Sequence, residues 1–147
     1  MKLTNVFMLG VVVASTTALA QTAVMRPGQY ETTVEISRAG RAMKMPLSKT
    51  AVCVTAEDLK DWSRNLVKTS EGTTCKLSDY KPSGPTLTFV RECTSASGTQ
   101  TTYKGTVTFT PPDEYRSVVN VSGSGEATPL AGSTMTTTAR RVGDCTK

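Results

Sequence analysis

Between residues 29 and 37 the chain reads QYETTVEIS, and its side chains alternate. Tyr30, Thr32, Val34 and Ile36 fall on one face, while Glu31, Thr33, Glu35 and Ser37 fall on the other. That period of two is the pattern of a strand with one buried face. The turn-forming RAGR follows. MKMPLSKTAVCV then alternates again, with Met43, Met45, Leu47, Ala51 and Cys53 in phase. Proline cannot donate to a sheet ladder, so Pro46 predicts an edge strand or a strand with a break.

A period of 3.6 emerges in one place. In TAEDLKDWSRNLVK, Leu59, Trp62 and Leu66 share a stripe that leaves Lys60, Asp61 and Arg64 outside it, which predicts one amphipathic helix of two or three turns. Thr55 followed three residues later by Asp58 resembles a capping box, and Glu57 and Asp58 suit the positive end of the helix. Trp62 at this spacing reads as a core plug rather than a platform for a ligand. From Cys75 onward the strand pattern returns and persists. CKLSDYK and TLTFVREC flank the turn signal PSGP, TTYKGTVTFT meets EYRSVVNVSG across PPD, and STMTTTARRV comes last. The expected fold is mainly β: an antiparallel meander of about seven strands with one short helix, forming a curled sheet, a sandwich or a small barrel.

The opening residues change the picture of where this domain works. Lys2 precedes an apolar run from Val6 to Ala14, too short to span a bilayer, and Ala18-Leu19-Ala20 has the small-x-small form of a signal-peptidase site. Residues 1–20 are thus expected to be a cleaved signal peptide and residues 21–147 a single exported, periplasmic or secreted domain. No cysteine follows the cleavage site and no second long apolar run occurs, so neither a lipid anchor nor a membrane span is expected in the mature form. The net charge of +5 is spread along the chain, with Arg140-Arg141 the densest basic pair, and nucleic-acid binding is not expected from so diffuse a pattern.

Cysteine and histidine usage narrows the chemistry. Cys53, Cys75, Cys93 and Cys145 form an even set in a small exported chain, which reads as two disulfides. Their wide spacing and the absence of histidine argue against structural zinc. Four cysteines allow three pairings. The expected one joins Cys53 to Cys75, around the helix, and Cys93 to Cys145. The rival joins Cys75 to Cys93 across the PSGP turn and leaves Cys53 with Cys145.

No residue is assigned a catalytic or cofactor-binding role, and no metal or cofactor is expected. Without histidine, acid–base work would fall to Asp, Glu, Lys or Tyr. The adjacent acids Glu57-Asp58 and Asp113-Glu114 sit at a helix start and in a turn, positions that favour acids for structural reasons. Met43 and Met45 would present two soft thioethers on one strand face, a minor Cu(I)-binding possibility that lacks a third nearby ligand. Thr106, Thr108 and Thr110 alternate with Val107 and Phe109, placing threonines along one sheet face. Such a ladder can bind a sugar, a peptide or ordered water, but it reads first as the solvated face of a stable sheet.

MRPGQYE, CVTAED, CKLSDYKPSG, Cys93 and the terminal RRVGDC occur in this order over nearly the whole chain after residue 20. Together they resemble the bacterial family called domain of unknown function 3617. Arg26-Pro27-Gly28 with Glu31, and Gly143-Asp144-Cys145, carry most of the likeness. Tyr30 stands where the family often has tryptophan, and a Gly/Met-rich stretch before MKMP is shortened. The resemblance implies a small secreted bacterial envelope protein and transfers no catalytic residue. The favoured function is a non-catalytic binding or interaction module that meets an envelope protein, peptide or glycan. The alternative is a hydrolase of unrecognised type using Asp, Glu or Lys.

Overall fold

The computed structural model describes residues 25–38, 41–42, 49–67, 71–124 and 130–146. The expected signal peptide, Met43, Met45 and Pro46 lie outside the described residues. The elements are β1 (Gly28–Arg38), β2 (Arg41–Ala42), β3 (Lys49–Val54), α1 (Ala56–Lys60), α2 (Ser63–Val67), β4 (Thr73–Ser83), β5 (Thr86–Ser95), β6 (Gln100–Thr110), β7 (Glu114–Ser124) and β8 (Ser133–Gly143). Seven strands cross one sheet in the order β2-β1-β8-β7-β6-β5-β4, and β3 pairs with β1. All pairings are antiparallel. Strands β4 to β8 are the expected meander, and β1 returns to lie beside β8.

The mainly β, antiparallel sheet is as expected, and of the three forms left open by the sequence the barrel is the one that the described residues do not close. Among the described residues β4 pairs only with β5, and β3 only with β1, so the sheet is open. The edge position expected for MKMPLSKTAVCV holds for its described part, β3. Its phase does not. Ala51 and Cys53 are exposed and Val54 is the buried residue of the strand, because register sets Val54 opposite Gly28 on the inner face.

That inner face is where the alternating apolar positions converge. Tyr30 on β1, Ala139 on β8, Val107 on β6 and Leu87 on β5 are almost fully buried. Each such Val or Leu side chain contributes about 1.5–3 kcal/mol by leaving water. The buried residues form two clusters, one around Met25, Tyr30, Val54 and Ala139, the other around Leu87, Phe89 and Val107. Trp62 packs against both. Its indole meets Phe109 edge-on at 5.2 Å and Tyr115 at 5.1 Å between ring centroids, so it is the expected plug.

The single helix expected over this stretch is two. Thr55 caps α1 with the full reciprocal box: its hydroxyl accepts from the Asp58 N–H at 3.1 Å, while the Asp58 carboxylate accepts from the Thr55 N–H at 2.9 Å. The helix stops at Asp61, whose φ of −138° and ψ of 86° are not helical. There the carboxylate accepts from the Ser63 N–H at 3.1 Å and from the Ser63 hydroxyl. A short polar side chain that bonds its own backbone two residues on competes with helix continuation and starts a new one. The stripe survives the break: Leu59, Trp62 and Leu66 all face the sheet.

Both disulfides form, in the rival pairing. Cys53 joins Cys145 and Cys75 joins Cys93, which overturns the expected Cys53–Cys75 and Cys93–Cys145. A β-bulge is the reason. From the PSGP turn to Asp79 the β4–β5 register would set Cys75 against Thr94, but it shifts between Leu77 and Asp79 and brings Cys75 opposite Cys93, at a Cα–Cα distance of 4.1 Å. Cys145, the penultimate described residue, is a staple between the last strand and β3.

Candidate functional site

The residues that make the sequence recognisable meet at one end of the sheet. The Arg26 N–H donates to the Pro112 carbonyl at 2.9 Å. Its guanidinium grips Asp113 with two bonds, Nε to Oδ1 at 2.9 Å and Nη2 to Oδ2. The Arg141 N–H donates to the Asp113 carbonyl at 2.8 Å, and Arg141 Nε to the Pro27 carbonyl at 2.9 Å. Arg141 also pairs with Asp144, and the Tyr30 hydroxyl donates to the Arg26 carbonyl at 2.7 Å. Gly28 has no room for more: a Cβ there would run into Arg141 Nε and the Gly143 carbonyl. The Arg26 bond holds the Asp113 carboxyl below its usual range, and the same bond raises Arg26. This clasp joins the β6–β7 turn to the beginning of β1 and the end of β8. Its donors and acceptors are occupied by one another, which is the chemistry of a fastener.

The acids considered for catalysis are similarly engaged. Asp58 is the α1 cap and Glu57 pairs with Lys60 at 2.7 Å. Asp113 is in the clasp, and Glu114 pairs with Arg140 at 3.4 Å across to β8. Among the described residues no group of three His, Cys, Asp or Glu side chains is placed to hold a metal ion. Of the other thioethers, Met25 is a core residue and Met135 lies in register with Ile36 and Val119.

Threonines line the outer face, as the alternation predicts. Thr86 faces Thr108, Thr88 faces Thr106, and Thr33 faces Thr138. Thr88, Thr106, Thr108 and Thr138 are exposed. Toward the far ends of β4, β5 and β6 this face sinks into an open polar hollow of about 750 Å³, bordered by Thr74, Lys76, Glu92, Thr94, Gln100 and Thr102. Lys76 and Glu92, both at its border, pair at 3.4 Å.

One inner-face residue escaped the sequence reading. Arg91 occupies the apolar phase of β5, between Phe89 and Cys93. Its guanidinium lies 4.2 Å over the Tyr103 ring, Nη1 donates to the Leu66 carbonyl at 2.9 Å, and Nε is buried without a partner. Burial lowers its pKa. A cation on the last carbonyls of a helix satisfies groups the helix leaves open, so Arg91 pins α2 to the sheet. The signal was a charge in phase with Leu87 and Phe89.

These features define a class: a small open antiparallel β-domain, stapled by two disulfides and a salt-linked clasp, with helices on one face and hydroxyls on the other. Residues 25–145 match the model of the family described as protein of unknown function DUF3617, and the chain belongs to that family. No curated protein and no solved structure matches it. Paired disulfides are the mark of a protein that works outside the reducing cytoplasm, and no helix among the described residues is long and apolar enough to cross a membrane.

Proposed function

We propose that the protein is an exported, periplasmic interaction module that docks a polar peptide or protein segment of the cell envelope on its threonine face. The observation that carries this reading is the two opposed threonine rungs, Thr86–Thr108 and Thr88–Thr106, on the same sheet face as the hollow beside Lys76 and Glu92. Hydroxyls both donate and accept, and the Lys76–Glu92 pair offers one charge of each sign. A polypeptide suits this chemistry better than a glycan. The aromatics that stack on sugars point the other way, with Tyr30, Trp62, Phe109 and Tyr115 in the core. Export is supported by the leader-like opening residues and by the disulfides.

Filling the hollow tests the proposal. The chain from Gln21 onward, immobilised, is exposed to an envelope fraction beside a Thr94→Arg/Thr102→Arg variant of equal thermal stability. A protein retained by the wild type and lost by the variant is expected. Equal retention by both, or no specific retention by either, overturns the reading.

A further inference from the structure

The two disulfides bracket the helices. Cys53 is the penultimate residue of β3 and Cys75 the third of β4; between them Leu59, Trp62 and Leu66 lie across the inner face. The strap is thus bolted at one end to Cys145, beyond β8, and at the other to Cys93, on β5.

The bolts are unequal. Cys93 is 6% exposed and its partner Cys75 is half-buried on β4, both inside a β4–β5 ladder of ten paired positions. Cys53 is exposed, and six paired positions join its strand to β1. Segments with few buried contacts and exposed backbone bonds open first, and thiol–disulfide exchange goes to the sulfur that can be reached.

We propose that Cys53–Cys145 is a redox latch: a dithiol reductant opens it selectively and frees the β3 end of the strap, while Cys75–Cys93 keeps the other end fastened. One thiolate of the reductant attacks Cys53 Sγ, forming a mixed disulfide and expelling the Cys145 thiolate, which takes up a proton. The second thiol of the reductant then attacks its own sulfur in the mixed disulfide and expels the Cys53 thiolate. The protein gains two electrons and two protons, and the dithiol leaves as its cyclic disulfide. Release of the strap uncovers Phe109 and Tyr115, against which Trp62 packs. The latch therefore couples the redox state of the surroundings to exposure of an aromatic surface.

Trp62 is the sole tryptophan and reports strap position directly. The oxidised chain is titrated with dithiothreitol, quenched with an alkylating agent and mapped by peptide mass, with tryptophan emission and amide exchange read on the same samples. Cys53 and Cys145 should be alkylated at lower reductant concentration than Cys75 and Cys93. In that interval Trp62 emission should shift to the red, and amide protection over residues 55–67 should fall about 100-fold while β5 to β8 stay protected. A Cys53→Ser/Cys145→Ser variant should show the same emission without reductant. Reduction of Cys75–Cys93 first or in parallel overturns the proposal, as does undiminished protection of residues 55–67 once Cys53–Cys145 is open.

Discussion

Gly105 sits midway along β6, opposite Phe89 on β5 and Val119 on β7. Its missing side chain is filled by theirs. A Cβ built there would lie 2.7 Å from Phe89 Cζ, 2.8 Å from Phe89 Cε1 and 2.9 Å from Val119 Cγ2, all inside van der Waals contact. Phe89 is 4% exposed, packed among Leu87 and Val107, and cannot swing into solvent. Gly105→Ala therefore overpacks the core, at a cost of about 1–3 kcal/mol. Against this stands about 0.5–1 kcal/mol gained by reducing the freedom of the unfolded chain. The net expectation is a loss centred on about 1 kcal/mol and at most about 2.5 kcal/mol, or a fall in Tm of about 4 °C for a domain of this size. Denaturant unfolding followed by Trp62 fluorescence measures it. Gly143→Ala is the control, since nothing lies within 4 Å of its Cβ position. Phe89→Leu in the Gly105→Ala background should recover part of the loss, a coupling that independent sites do not show. A Gly105→Ala protein as stable as the wild type would refute the reasoning that Phe89 occupies this space.

Further outcomes are expected elsewhere. Cys145→Ser should cost about 2–4 kcal/mol by removing a long-range constraint on the unfolded chain, and thiol titration should then find Cys53 free. Thr55→Ala should cost about 1 kcal/mol through loss of the α1 cap, with amide exchange in residues 56–60 rising first. Because the Arg26 bond depresses the Asp113 pKa in the folded state, the clasp's contribution is complete above the unfolded carboxyl value near ~3.9 and fades as pH falls through the folded one. The stability gap between wild type and Asp113→Asn should accordingly narrow on acidification, and parallel curves from neutral to acid pH would contradict that assignment. Intact mass of the exported product should correspond to a chain beginning at Gln21, and retention of Met1 would show that residues 1–20 are not removed.

The sequence displays the strands because each carries its own alternation. Tyr30, Thr32 and Ile36 are buried and Glu31 and Glu35 exposed, as their phase requires, and TLTFVREC sends Leu87, Phe89 and Cys93 inward the same way. The helical break was hidden because Leu59, Trp62 and Leu66 keep their stripe on either side of it. Only the bond from Ser63 to Asp61 distinguishes two short helices from one. Disulfide pairing was hidden by a single residue: without the bulge beside Ser78, counting back from PSGP gives Cys75 the wrong neighbour. The clasp was visible as a motif and illegible as a structure. Arg26, Asp113 and Arg141 are far apart in sequence, and only the return of β1 to β8 brings them together.

The bridge between Cys53 and Cys145, 92 positions apart, makes everything from the end of β3 through β8 to Cys145 a single covalent ring. Strand β1 is not part of that ring, yet it fills the gap where the ring's two ends meet, with Gln29 opposite both Cys53 and Gly143. The molecule is thus a closed loop of chain with a guest strand seated in its opening by backbone bonds, Tyr30 and the Arg26 grip. Severing the polypeptide between β1 and β3 would leave every bolt of the ring intact and turn the guest into a separable peptide. A protein of this build is suited to fragment complementation: the ring on one molecule, the strand supplied from another.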